Sequence, residues 1–149
     1  TQLKDGNVLV KVDYSSLNYK DALILNDGGK IVRKFPFVPG IDFSGKIVES
    51  EDGKFKKDDN VILTGFRVGE SYFGGFSQYA KVDSNFLIKN PKNIDSKKSM
   101  MLGTAGFTAL GVTEGFACTW DIQNKRAVNI INNFKVFSFI CIEQEVCTL

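Results

Sequence analysis

Residues 33–45, RKFPFVPGIDFSG, decide the fold of this chain. Pro36 and Pro39 fix φ and remove two backbone donors, and the residue before each proline is pushed towards extended conformations. Residues 35–39 are therefore predicted to form an extended, buried connector rather than a helix. The connector leads through Gly40 into a strand at residues 43–50, so it is expected to act as a rigid scaffold element.

The composition is that of an ordinary globular domain. The chain has 149 residues, of which 43% are hydrophobic and 24% charged. Its formal net charge of +2 gives no case for a nucleic-acid partner or a membrane surface, and no apolar run approaches the roughly 20 residues that span a bilayer. One domain in a cytoplasmic setting is the simplest expectation.

Histidine is absent, which removes the commonest general base and the commonest zinc ligand. Cysteine occurs three times, as Cys118, Cys141 and Cys147. An odd number at irregular spacing predicts neither a disulfide framework nor a zinc knuckle.

Short strands with turn signals between them favour a mainly β fold, as a small barrel or sandwich with short helices at its edge. Alternating apolar residues predict a strand over 7–14, broken by the serines that follow. Further strands are predicted at 61–64 and 78–83, with an edge piece at 85–89.

A helix is predicted over 19–25, with Asn18 as N-cap and Asp21 at the third position. A second helix is predicted over 96–102 with Ser96 as its cap, interrupted at 103–106 and resumed over 107–110.

Three stretches are candidates for chemistry. Residues 16–21 (SLNYKD) bring a phenol, an amide and a carboxylate to a helix start, where they could orient a ligand or supply a proton, although a helix cap with a packed tyrosine is the simpler interpretation. Residues 103–108 (GTAGFT) permit close backbone approach to a ligand or, equally well, tight helix packing. Gly69-Glu70 with Gly74-Gly75 indicates a mobile lid or, more simply, a hairpin tip.

Taken in order, these motifs resemble the zinc-free branch of the medium-chain dehydrogenase/reductase superfamily. The resemblance is carried by SLNYKDA at 16–22, FPFVPGIDFSG at 35–45, LTG at 63–65 with VGE at 68–70 and GG at 74–75, and GTAGFTA at 103–109. It is strongest to the acrylyl-CoA reductase and quinone oxidoreductase type. Each motif alone is weakly specific, whereas the ordered set is specific.

The resemblance implies a GroES-like catalytic β-barrel, which in whole relatives is followed by a Rossmann domain that binds NADPH. It also implies hydride transfer from NADPH to the β-carbon of an unsaturated acyl thioester or ketone, and a homodimer. Zinc-containing relatives carry a His-Glu pair where this chain has Ile41 and Asp42, so the resemblance implies an enzyme without zinc.

Site residues follow from the same resemblance. Tyr19 would lie beside the nicotinamide, where it would orient the substrate carbonyl or relay a proton. Asn18, Asp21 and Ala22 would shape that wall of the site. Thr104 and Thr108, one helical turn apart, would face the cofactor near the junction with the cofactor domain.

The resemblance ends near Leu110. Residues 1–110 are expected to form the GroES-like domain, with the family's first strand missing before Thr1. The remainder, 111–149, has no glycine after Gly115 and so lacks a phosphate-cradling loop. Residues 134–142 (FKVFSFICI) are β-prone and nearly uncharged. We expect a truncated gene product with an out-of-frame or disordered tail, although a genuine divergent segment remains open.

Two functions follow from these expectations. The first is a catalytic-domain fragment of an NADPH-dependent reductase, inactive alone because the Rossmann domain is absent. The alternative is a non-enzymatic small barrel that acts as a binding or assembly module, for which the tail would have to be a packed element such as an added strand.

Overall fold

The computed structural model describes residues 6–26, 31–33, 35–113 and 141–143. Its strands are β1 (Val8–Ser16), β2 (Asp42–Ser50), β3 (Asn60–Thr64), β4 (Tyr79–Val82), β5 (Ile88–Lys89) and β6 (Cys141–Glu143). Its α-helices are α1 (Tyr19–Leu25) and α2 (Ser96–Thr113), and a 3₁₀ turn spans Ser84–Phe86. The predicted mainly β fold with short helices is confirmed.

The strands form one antiparallel sheet in the order β4-β1-β2-β3-β5, and β6 adds to β1. Residues 83–87 alone join β4 to β5 at opposite ends of this order. Because a few residues reach only a short distance, the sheet must curl strongly. Even so, the described strands leave β4 and β5 unpaired with each other, so they do not form the closed barrel that was predicted.

The core lies on the face of the sheet that the alternating valines of β1 supply. Val8, Val10 and Val12 are almost fully buried, as their spacing predicts. They pack with one cluster of buried side chains from the rest of the sheet and its loops: Phe43, Ile47, Phe55, Val61, Leu63, Val68, Ala80, Val82 and Leu87.

Strand β1 runs two residues beyond its predicted end. The register against β2 shifts between Val12 and Tyr14, and the strand then continues through Ser15 and Ser16, which pair with Phe43 and Asp42. Both serines are buried, and the Ser15 hydroxyl donates to the Gly75 carbonyl at 2.7 Å. Tertiary hydrogen bonds therefore keep Ser15 and Ser16 in the strand, although serine by itself favours turns.

The connector is extended, as predicted, but it is not buried along its length. Phe35 is 73% exposed, and burial becomes complete only at Gly40. The connector is covered on one side by residues 65–76, the glycine loop, and its other side is left open by the described residues. The backbone N–H groups of Gly74, Gly75 and Phe76 donate to carbonyls of residues 38–40 at 2.7, 2.8 and 3.0 Å.

The same contacts decide the role of the Gly74-Gly75 pair. A Cβ on Gly74 would lie 2.4 Å from the carbonyl oxygens of Pro39 and Gly40. The pair thus docks against the connector, a role that neither the lid nor the hairpin interpretation of the sequence anticipated.

Helix α2 is one continuous element with a kink. Its cap is Asp95, whose carboxylate accepts from the Lys98 backbone N–H at 2.7 Å, and Ser96 is already its first residue. The predicted interruption over 103–106 is confined to Gly103, with φ 47° and ψ −158°. Helical geometry resumes at Thr104 because the Asp42 carboxylate accepts a hydrogen bond from the Thr104 backbone N–H and so caps the second half of the helix.

Of the predicted tail, the structure describes helix α2 up to Thr113 and the backbone of β6, which pairs antiparallel with Tyr14–Ser16. Most of the β-prone segment 134–142, together with Cys118 and Cys147, lies outside the described residues. Within the described ranges, no helix combines the length and the apolar character needed to span a bilayer.

Candidate functional site

Helix α1 begins as its sequence predicts. The Asp21 carboxylate reaches back to the Asn18 backbone N–H at 2.9 Å, which completes the capping arrangement expected from a carboxylate at the third helical position. The first helical residue is Tyr19, whose side chain is 80% exposed. Its phenol is therefore presented to solvent at the end of β1, where a ligand can reach it.

Asp21 also holds the connector against α1. Its second carboxylate oxygen accepts from the backbone N–H groups of Gly40 and Ile41 at 3.0 and 3.1 Å. The side chain is fully buried. Burial raises the pKa of the Asp21 carboxyl above its ordinary value of 3.8, and the hydrogen bonds from Asn18, Gly40 and Ile41 oppose that rise.

Asp42, at the start of β2, is the second fully buried carboxylate. Its Oδ2 accepts from the Ser16 hydroxyl at 3.0 Å, from the Asn18 side-chain amide at 3.0 Å and from the Thr104 backbone N–H at 2.7 Å. Its Oδ1 accepts from the Thr104 hydroxyl at 2.6 Å. Two strands and both helices thus converge on one side chain.

The structure brings together only some of the six predicted site residues. Asn18, Asp21 and Thr104 are brought together by the two carboxylates. Thr108 lies one turn further along α2, exposed, and its hydroxyl donates to the Thr104 carbonyl at 2.9 Å. Tyr19 is exposed beside this network, and Ala22 is partly buried on α1 without a polar role.

The organising role of Asp42 was missed from the sequence. Asp42 was singled out only as a departure from the zinc-binding pattern, and Ser16 only as part of the SLNYKD stretch. One signal was available. A carboxylate that opens a largely apolar strand must be paired if it is buried, and such pairing requires donors from distant segments.

A side chain next to Tyr19 links α1 to the glycine loop. Lys20 forms an ion pair with Glu70, which also lies 3.9 Å from Arg67. Both cations are substantially exposed, so these pairs contribute little to stability. Among the described residues, no group of three or more His, Cys, Asp or Glu side chains could hold a metal ion.

Comparison with known proteins agrees with this fold. Residues 4–92 match the alcohol dehydrogenase GroES-like domain family, and the chain belongs to that family and, with it, to the medium-chain dehydrogenases/reductases. It is 50% identical over 110 residues to acrylyl-CoA reductase AcuI from Ruegeria pomeroyi, a match that covers 74% of this chain and 33% of the relative.

Solved structures give the same result. The crystal structure of the yhdH oxidoreductase from Salmonella enterica in complex with NADP superposes with a TM-score of 0.73 at 48% identity, covering 76% of this chain and 35% of that one. The Bacillus subtilis protein yhfP with NAD bound gives a TM-score of 0.68 at 47% identity, covering 72% and 33%. The chain thus spans about a third of the length of these relatives.

Proposed function

We propose that this chain is the catalytic-domain part of an NADPH-dependent reductase of α,β-unsaturated acyl-CoA or quinone and enone substrates. The main support for this proposal is the set of hydrogen bonds to Asp42. They join the start of α1, where Tyr19 is exposed, to the kinked helix α2, which carries Thr104 and Thr108. The relatives named above support the proposal, because all are oxidoreductases by name or were solved with a nicotinamide cofactor.

In this proposal, side chains of α1 and α2 would contact the nicotinamide end of the cofactor. Tyr19 and Thr108 are exposed residues on the two elements that Asp42 joins. The Thr108 hydroxyl donates to the Thr104 carbonyl, which leaves its oxygen lone pairs for a ligand. The Thr104 hydroxyl has already donated its proton to Asp42, so only its oxygen lone pairs are left for a ligand. The sequence contains no GxGxxG phosphate loop, so the rest of the cofactor would require residues that this chain does not supply.

The chemistry divides between cofactor and protein. Bound NADPH supplies a hydride to the substrate β-carbon, and the α-carbon takes a proton. Tyr19 would donate a hydrogen bond to the substrate carbonyl, which makes the β-carbon more electrophilic, or would relay the proton. Asn18, Asp21 and Ala22 form the wall behind it. No zinc takes part, and we propose a cytoplasmic, homodimeric whole enzyme.

The test is a chimera in which residues 1–110 of this chain replace the aligned 110 residues of the Ruegeria relative. We expect the chimera to bind NADPH and to oxidise it on addition of acrylyl-CoA, followed by absorbance. The chain alone is expected to show no turnover. A folded, NADPH-binding chimera that reduces neither acrylyl-CoA nor a quinone would contradict the proposal.

The alternative of a binding or assembly module gains nothing from the relatives named above. Pairing of β6 with β1 is the kind of added strand that this alternative requires, but it concerns only three backbone residues. We therefore do not propose it as a second function.

A further inference from the structure

The Asp42 carboxylate is occupied by its protein neighbours. Four donors already point at it, three at Oδ2 from Ser16, Asn18 and the Thr104 backbone and one at Oδ1 from the Thr104 hydroxyl. The side chain is also completely shielded from solvent. A group in this position is suited to fixing its neighbours rather than to exchanging protons with a ligand.

The kink in α2 makes the contact from the Thr104 backbone N–H available. Inside a continuous helix, the Thr104 N–H would bond to the carbonyl four residues earlier. Gly103 breaks that ladder with its positive φ, and Thr104 then starts the second half of the helix with an N–H that requires a cap. The Asp42 carboxylate provides the cap from another element, at the helix end that favours negative charge.

The space for this cap exists only because residue 103 is glycine. A Cβ there would lie 2.6 Å from Asp42 Oδ2 and 2.7 Å from the Ser16 hydroxyl. The close approach of the α2 backbone is therefore directed at the carboxylate of Asp42, not at a ligand.

Asn18 carries the connection to the other helix. Its backbone N–H donates to Asp21, and its side-chain amide donates to the same Asp42 oxygen that the Thr104 N–H approaches. The start of α1 and the second half of α2 are thus joined through one atom. Residues adjacent to the junction on both sides, Tyr19 and Thr108, are those proposed above to face the cofactor.

We propose that Asp42 is a positioning residue that sets the orientation of the second half of α2 relative to the start of α1. The importance of this orientation for catalysis rests on the proposed function. The effect of Asp42 on the orientation does not, because it can be measured on this chain without cofactor or substrate.

The experiment uses the ¹⁵N-labelled full chain by NMR, comparing wild type with Asp42→Asn. In the wild type, we expect a downfield-shifted, slowly exchanging Thr104 amide proton, since hydrogen bonds to a carboxylate are short and strong. In Asp42→Asn, we expect this amide to exchange about tenfold faster or more. Residual dipolar couplings of residues 104–109 should rotate relative to those of α1.

Asp95→Asn is the matched control, because Asp95 caps the first half of the same helix from an exposed position. It should accelerate exchange at Lys98 and leave Thr104 and the dipolar couplings unchanged. Unaltered exchange and couplings at Thr104 in Asp42→Asn would overturn the proposal.

If Asp42→Asn does not fold, Thr104→Val decides the question, because it removes a single hydroxyl and keeps the backbone donor. We expect it to shift the resonances of the Asn18 side-chain amide, which donates to the same carboxylate as Thr104, and we expect Thr104→Ser to restore them. Unmoved Asn18 amide resonances in Thr104→Val would overturn the proposal. A chimera without reductase activity would contradict the proposed function but would not change the outcome of these NMR measurements.

Discussion

Thr104 donates both its backbone N–H and its hydroxyl to the carboxylate of Asp42, at 2.7 and 2.6 Å, across a sequence separation of 62 residues. This pair joins the sheet to α2 at the point where the helix bends. The Asp42 carboxylate is buried, so loss of this contact would leave buried polar groups without partners. It therefore gives the most direct route to perturbing the candidate site without touching the exposed Tyr19.

Replacing Gly103 with alanine should destabilise the chain by at least about 2 kcal/mol. The new Cβ adds the cost of a positive φ, roughly 1–2 kcal/mol, and a collision with the Asp42 carboxylate. Urea denaturation followed by circular dichroism measures the change. Gly53→Ala is the control, because a Cβ there meets nothing within 4 Å and the backbone needs no positive φ; equal midpoints for the two variants would contradict the expectation.

Gly74→Ala and Gly65→Ala should separate steric collision from backbone strain. A Cβ on Gly74 would lie 2.4 Å from the connector carbonyls, whereas Gly65 has φ +80° and a Cβ built on it would meet nothing within 4 Å. We expect Gly65→Ala to cost about 1–2 kcal/mol from φ alone and Gly74→Ala to cost more, because two backbone segments would have to separate. Thermal unfolding of both variants measures the order. Gly74→Ala as stable as wild type would show that the loop does not dock on the connector.

Asp21 and Asp59 should titrate on opposite sides of 3.8. Burial raises the pKa of Asp21, whereas the hydrogen bond from the Lys56 backbone N–H lowers the pKa of the partly buried Asp59. Carboxyl ¹³C shifts of the folded chain against pH measure both. A midpoint for Asp21 at or below 3.8 would contradict the burial argument.

The signs of the two contributions to stability follow from these directions. The folded chain binds the Asp21 proton more tightly than the unfolded chain does, so the Asp21 contribution increases as pH falls from the raised folded pKa towards 3.8 and is complete below 3.8. The Asp59 contribution is present above 3.8 and is lost as pH falls through its lowered folded pKa. Asp21→Asn should abolish the first dependence only.

Tyr19→Phe in the chimera should lower kcat for acrylyl-CoA by about 100-fold, because loss of a positioned proton donor removes a contribution of that order. Stability should not change, since the hydroxyl belongs to an 80% exposed side chain. Tyr79→Phe is the matched control on β4 and should keep full activity. An unaffected kcat in Tyr19→Phe would remove Tyr19 from its proposed role.

The chain by itself should not bind NADPH tightly. It contains no GxGxxG sequence, and no glycine follows Gly115. Fluorescence titration of the full chain with NADPH is expected to show no sub-micromolar dissociation constant. Observation of such a constant would mean that the cofactor is held by residues outside the motifs considered above.

The sequence alone determined the elements whose signals are local. The alternating valines of β1 predicted a strand with one buried face, and Asn18 with Asp21 predicted the start of α1 to the residue, because spacing along the chain fixes which side chains share a face or cap a helix. The prolines of 35–39 likewise excluded a helix through φ alone.

Only the tertiary structure decided what joins these elements. Local sequence predicted that β1 would end at Tyr14, that Ser96 would cap α2 and that 103–106 would interrupt the helix. Instead, Ser15 and Ser16 stay in the strand, Asp95 is the cap, and Gly103 alone breaks the helix. The physical reason is that a buried carboxylate must collect its hydrogen bonds from wherever the fold brings donors. Asp42 therefore gained its role from Ser16, Asn18 and Thr104, at separations that no local pattern encodes.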